Sequence, residues 1–268
     1  MINTIKNISE TELDLPVWRY LTFPKFISVV TYRALWFAKL NILRDKYEGT
    51  LPIATEIQMR QYNERAKKTF NTPEFHRQID NWPKNIVSSG RELTVVNCWF
   101  FGDNESKDMW AKYAGSNEGV AICSSIRMLQ NSVNAYPEYS MIGRVQYVDF
   151  DNHVMGMYEA HQAQEIALLK KNEEQYKAES EIRIVSMSTK TPWCLNMDGS
   201  PLTEEQYAGK NMNNFENKGL YITANLSSLI KFIVLAPGAT DWFELLVKRV
   251  LKLFKLECPV KRSQFQQV

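Results

Sequence analysis

Apolar residues recur along this chain with two spacings. Short runs that are alternating or continuously apolar, the patterns of half-buried and fully buried strands, occupy 17–21, 35–38, 92–101, 119–123, 143–148, 179–185, 219–223 and 229–235. A last run, 259–262, begins with Pro259 and suits an edge strand. Helical spacing fills the intervals. Pro24 can open a helix carrying Phe26, Ile27, Val30 and Tyr32. Residues 55–81 predict two helices, the second opening at Pro73, with a loose apolar stripe of Met59, Tyr62, Ala66 and Phe70. Ser106 can cap a helix with Met109, Trp110 and Tyr113 on one side, and Ser124 or Ser125 can cap another through Leu129. Residues 157–175 predict one helix whose tail, Lys170 to Glu174, faces solvent. Asp241 and Glu244 form a capping box for a helix that buries Phe243, Leu246, Val250 and Phe254 and shows Lys248, Lys252 and Lys255 to water.

Strands and helices interleave without repeats or a low-complexity linker. The expected fold class is α+β: one domain over 1–268 with a single mixed, mainly antiparallel sheet and packed helices. A helical insertion at about 55–90 caps the sheet, and 188–218, polar and rich in turn formers, is a loop or lid.

One strand carries unusual chemistry. Period-two alternation over 179–185 puts Glu179, Glu181 and Arg183 on one face and Ser180, Ile182 and Ile184 on the other. Two acids beside a fixed cation are costly in a core. In a cleft they are useful, because a neighbouring carboxylate raises a pKa and an arginine lowers it. The plain alternative is a satisfied ion pair on a solvated face. Two further stretches offer partners. Arg19 lies opposite Trp18 and Tyr20 on the first strand, and 41–49 passes from an apolar run to a charged turn with Asp45 and Glu48.

Composition narrows the field. The chain has 268 residues, 44% hydrophobic and 23% charged, with a formal net charge of +2, so bulk charge does not make it a polyanion binder. Cys98, Cys123, Cys194 and Cys258 form no CxxC pair and lie in or beside apolar stretches, which predicts buried free thiols and a reducing, cytoplasmic address. No signal-peptide pattern opens the chain, and no apolar run approaches the ~20 residues of a membrane span. His76, His153 and His161 are far apart, so no metal site is expected.

Five blocks stand in a fixed order: Trp18-Arg19-Tyr20; Leu35-Trp36-Phe37 leading to Asp45 and Glu48; Cys98-Trp99-Phe100 leading to the Met109–Ala114 helix and Gly119-Val120-Ala121-Ile122; Tyr176 to Ile184; and the C-terminal strand, Pro237-Gly238 turn, helix and Arg262-Ser263. This order resembles the bacterial DUF2971 family, which is named for its unknown function, over nearly the whole chain. The family's Asn-Asp-Pro-Phe-Glu turn is altered here: Asp45 and Glu48 keep their places, and the Asn and Pro are gone.

The same order of parts also resembles ADP-ribosyltransferases. That resemblance implies NAD as cofactor, Arg19 holding a pyrophosphate with Tyr20 beside it, Trp110 or Tyr113 stacking on a ring, and Glu181 catalytic with Glu179 next to it. The context is bacterial defence or a toxin. The target, a nucleotide or a macromolecule, is open. A second reading is a non-catalytic binding module, with Glu179, Glu181 and Arg183 as a structural network. A third is a nuclease whose Asp45, Glu48, Glu179 and Glu181 hold Mg²⁺ while Arg183 or Lys177 meets phosphate.

Overall fold

The computed structural model describes residues 2–115, 117–135, 139–187 and 218–265. The expected α+β class is what is seen: a large mixed, mostly antiparallel sheet with helices on both sides. Its strands are β1 (Thr4–Lys6), β2 (Pro16–Thr22), β3 (Ala34–Lys39), β4 (Thr94–Phe101), β5 (Gly119–Ser125), β6 (Ser140–Arg144), β9 (Glu181–Met187), β10 (Gly219–Thr223), β11 (Phe232–Leu235) and β12 (Val260–Arg262). The order is β1-β6-β9-β4-β2-β5-β11-β12, with β3 joined to β4 and β10 joined to β3. Two short strands, β7 (Gln146–Val148) and β8 (Leu169–Lys171), pair separately and in parallel.

β4 and β9 form the spine. They pair from Thr94 with Met187 to Phe100 with Glu181. On its other edge β4 changes partner partway. β3 meets it at Val95 and Val96, and β2 meets it at Phe100 and Phe101. Asn97, Cys98 and Trp99 face a fork between those two strands. Backbone groups left without a ladder partner need other hydrogen bonds, and side chains supply them. Arg19 Nη1 donates to Cys98 O at 2.7 Å, and Asn97 Nδ2 donates to Trp36 O at 2.8 Å. Asn97 Oδ1 in turn accepts from Trp99 Nε1 at 2.6 Å, so the buried indole is satisfied.

The two sheet faces differ. One holds the main core, where Val17, Leu21, Trp99, Ile122, Ile182 and Ile184 meet Phe26, Val29 and Val30 of α1 (Phe23–Tyr32) and Phe243, Val247 and Leu251 of the C-terminal helix (Asp241–Leu253). The other carries Trp18, Tyr20, Ala121, Cys123 and Val234, covered by Met109, Trp110 and Ala114. The helical insertion is a hairpin of α2 (Ile53–Thr69) and α3 (Pro73–Leu93). Among the described residues no helix is long and apolar enough to cross a membrane.

Several local expectations need correction. The helix expected over 157–175 is broken into short helical turns at Glu159–His161 and Ala163–Ile166, then β8, then a turn at Glu174–Lys177. The run 166–169 is continuously buried, so it has no solvent face for helical periodicity to express. Residues 92 and 93 end α3 and do not begin β4. The C-terminal helix is capped by Thr240, whose hydroxyl accepts from Phe243 N at 3.2 Å, one residue before the predicted cap. Residues 143–148 divide between β6 and β7, which join different sheets. Of the loop or lid at 188–218, residues 188–217 lie outside the described residues.

The fork yields a stability prediction. Asn97→Ala removes both bonds of a fully buried amide, leaves Trp99 Nε1 unpaired and leaves Trp36 O with only a long bond from Arg19 Nη2 at 3.5 Å. A loss of about 2–4 kcal/mol in urea unfolding is expected. A loss under about 0.5 kcal/mol would show that the fork is held in another way.

Candidate functional site

β9 starts at Glu181, so Glu179 is not on the strand as the alternation suggested. Ser180 intervenes with a left-handed backbone, φ 38°. All three charged side chains nevertheless meet in one buried cluster on the face opposite Ile182 and Ile184. Arg183 is at its floor, 1% exposed. Its five N–H donors are all used. Nε and Nη2 reach Glu181 at 3.0 and 3.1 Å, Nη1 and Nη2 reach Glu48 at 2.7 and 2.8 Å, and Nη1 also reaches Ala167 O at 2.6 Å. Two bidentate carboxylates on one guanidinium is the geometry for which arginine, unlike lysine, is shaped.

A second cation lies above. Lys170 Nζ contacts Glu179, Glu181 at 3.2 Å and Glu48 at 3.5 Å, and sits 4.8 Å from the centre of the Tyr176 ring. Glu179 is nearest the surface, where it meets Lys112 and accepts from Tyr113 OH at 3.1 Å. Three carboxylates (Glu48, Glu179, Glu181) thus face three cations (Arg183, Lys170, Lys112). The rim is open, because the Lys112 side chain is 43% exposed and Tyr113 39%.

The electrostatics follow from this placement. Burial alone would raise the Glu181 carboxyl, but Arg183 and then Lys170 outweigh it and pull its pKa down to about 2. Burial likewise works against charge on Lys170 and Arg183. The surrounding carboxylates, Glu181 first, override it and hold both above their ordinary values. Burial pushes the Tyr113 hydroxyl and the Cys98 thiol up, with Glu179 acting further on the first and Glu181 on the second. Tyr147, whose hydroxyl accepts from Glu181 N at 3.1 Å, is pushed by burial to about 12.

The remaining candidates do not all join this cluster. Arg19 stands with Val17 and Leu21 on the opposite, main-core face of β2, so it does not share the site expected of it. It reaches into the fork, where Nη1 donates to Cys98 O, and lies 6.0 Å from the Trp99 ring. Burial lowers its pKa, and its Nε has no partner among the described residues. Tyr20 is buried edge-on to Trp110 at 4.9 Å, and its hydroxyl accepts from Ser106 N at 2.8 Å. Trp110 is in the same apolar cluster, with Nε1 donating to Glu105 at 2.8 Å, so both rings are buried where Tyr113 is partly exposed beneath the Lys112 ammonium. Asp45 shapes the turn: its Oδ1 accepts from Tyr47 N at 2.9 Å and its O from Glu48 N at 3.2 Å. The turn is therefore held by Asp45 itself, and it delivers Glu48 to Arg183.

Lys170, Lys112, Tyr147 and Cys98 were not anticipated. Lys170 stood in a stretch read as a solvated helix tail. The only signal against that was the apolar run 166–169 directly before it. For Mg²⁺ the arrangement is unsuited. Glu48, Glu179 and Glu181 do converge, but protein cations hold their oxygens, and Asp45 is turned to its own backbone. Among the described residues no group of three or more acids, cysteines or histidines is poised to hold a metal.

No family model matches the chain, and no curated protein matches it. Solved structures of Thermus sp. 2.9 DarT do. The complex with carba-NAD+ aligns over 96% of this chain and 97% of its own at 9% identity and a TM-score of 0.36. The complex with ADP-ribosylated ssDNA aligns over 98% of each chain at 9% identity and 0.37. At those scores the likeness supports no conclusion about this chain.

The cluster predicts a steep acid response. Glu181 has a folded pKa of about 2 against an ordinary 4.5, so its stabilisation is complete above about 4.5 and is lost as pH falls towards 2. The whole effect is about 3 kcal/mol. Unfolding free energies measured between pH 6 and 2.5 should fall across that window, and Glu181→Gln should flatten the fall. Arg183→Met strands Glu48 and Glu181 in the interior and should cost about 3–5 kcal/mol. Adding Glu48→Gln and Glu181→Gln should return part of that loss, and no recovery would mean the charges are not what the arginine satisfies.

Proposed function

We propose that this chain is an ADP-ribosyltransferase-like enzyme that uses NAD at the rim of the acid cluster, with Glu181 as its central carboxylate, Glu179 beside it and Tyr113 as the ring-stacking residue. Membership of the DUF2971 family and a role in bacterial defence are part of the same proposal and rest on the order of the motif blocks. The observation that carries the reading is that two separated segments bring Tyr113, Glu179 and Glu181 to one place, with Lys112 beside them and Glu181 held ionised by Arg183 and Lys170. A carboxylate that never protonates is a poor general acid. It is well suited to stabilising a cationic sugar centre, as in glycoside cleavage.

The residues fit such a ligand at the rim. Tyr113 offers an exposed ring, and Lys112 offers a donor to an anionic group, while the Arg19 Nε is buried away from the rim. At the floor the Glu181 oxygens are already engaged. The 3.2 Å contact with Lys170 is the longest of these and the one a ribose hydroxyl would displace. Bound NAD would supply the nicotinamide leaving group. The chain's own part is to hold negative charge at Glu181, keep Glu179 beside it through Lys112 and Tyr113, and position the ring.

One observation favours a non-catalytic module instead: Arg183 and its carboxylates satisfy each other completely, as a purely structural network does.

Nicotinamide release from NAD, with nucleic acid and protein acceptors supplied in turn, separates the two. The enzyme reading expects turnover that falls at least about 100-fold in Glu181→Gln and a raised KM in Tyr113→Ala, with circular dichroism unchanged. No NAD binding by calorimetry and no turnover with any acceptor would leave the binding module standing.

A further inference from the structure

The C-terminal helix Asp241–Leu253 has more apolar surface than its own core uses. Phe243, Val247 and Leu251 are buried in the sheet. On the outward side Trp242, Leu245 and Leu253 are 62%, 68% and 74% exposed. With Arg249 they form an i, i+3, i+7, i+11 stripe along a helix about 20 Å long. Scattered single apolar residues on a surface need no explanation, but three large ones in line mark a docking face.

Charge on this helix is divided end to end. Asp241 and Glu244 occupy the first turn, while Lys248, Arg249, Lys252 and Lys255 follow. Arg249, Lys252 and Lys255 make no ion pair among the described residues, whereas Lys248 is paired with Glu244 at 2.6 Å. Asp241 touches Arg262, yet its side chain remains 91% exposed.

We propose that this face binds the same face of a second copy of the chain, the two helices running antiparallel about a two-fold axis near the middle of the helix. Reversal sets the acidic end of each helix against the basic stretch of the other. Asp241 then meets Lys252 of the other copy, while Glu244 stays on the inner side of its own helix with Lys248 and Arg262. Trp242 seats between the other copy's Arg249 and Leu253. An anionic membrane would attract the basic half and repel the acidic first turn on the same flank. An acidic partner would leave the exposed Asp241 against like charge. Only self-pairing uses both halves. One helix pair falls short of the ~1,200 Å² of a standard interface, so the dimer is a weak, reversible one.

Sedimentation velocity of the full chain over a concentration series tests this. A monomer–dimer equilibrium is expected, weakened at least about tenfold by Leu253→Asp. Asp241→Lys and Lys252→Glu should each weaken it, and the two together should restore it to within about threefold, because the swapped charges meet again across the axis. Thermal melts of each variant confirm an intact fold. A monomer at every concentration, a double variant as weak as the single ones, or a monomer that floats with anionic vesicles would each overturn the proposal.

Discussion

A single guanidinium, buried at the centre of the sheet, sets the terms for much of this molecule. Arg183 brings a full positive charge to a place where water is absent, and a charge moved there unaided costs many kcal/mol. The chain answers from three directions. The strand itself offers Glu181, the turn after β3 offers Glu48, and the short helical segment before β8 offers the carbonyl of Ala167. Each of those segments is irregular or sits at an element's end. Their conformations are what the charge requires, since any of them displaced would leave a donor without an acceptor.

The excess negative charge then recruits the rest. Two carboxylates on one arginine leave a deficit that Lys170 and Lys112 make up, and Glu179 joins them at the surface side. This explains why β8 and the segment around Ala167 fold back against β9 where sequence periodicity suggested an uninterrupted helix. A lysine committed to a buried acid cluster holds its backbone inward.

Much of the sheet could be read from the chain. β2, β4, β5, β9, β10 and β11 announce themselves by alternation or by dense apolar runs, and the face division of β2, with Trp18 and Tyr20 opposite Arg19, was visible from parity alone. The candidate site was half legible. Glu179, Glu181 and Arg183 stand out because like charges two residues apart on a strand need a reason. Their partners did not stand out. Lys170 and Lys112 look like any surface lysine, and Glu48 gains its meaning only through a contact with residue 183. Asn97 gave no local signal either, because its task is to mend a break in strand pairing that exists only in three dimensions. Pairwise chemistry between distant segments leaves no periodic trace.

The pairing of β3 with β10 has a consequence for how the chain reaches this state. Phe37 lies opposite Leu220, so the ladder closes a loop of some 180 residues. Closure of so long a segment is entropically slow to find, and topologies dominated by remote contacts fold slowly. Until β10 arrives, the outer margin of β3 is a bare strand with unmet amides, the kind of edge on which unfinished chains stick to one another. An unfinished chain is therefore most open to aggregation along this margin of β3, in any state where β10 has not docked.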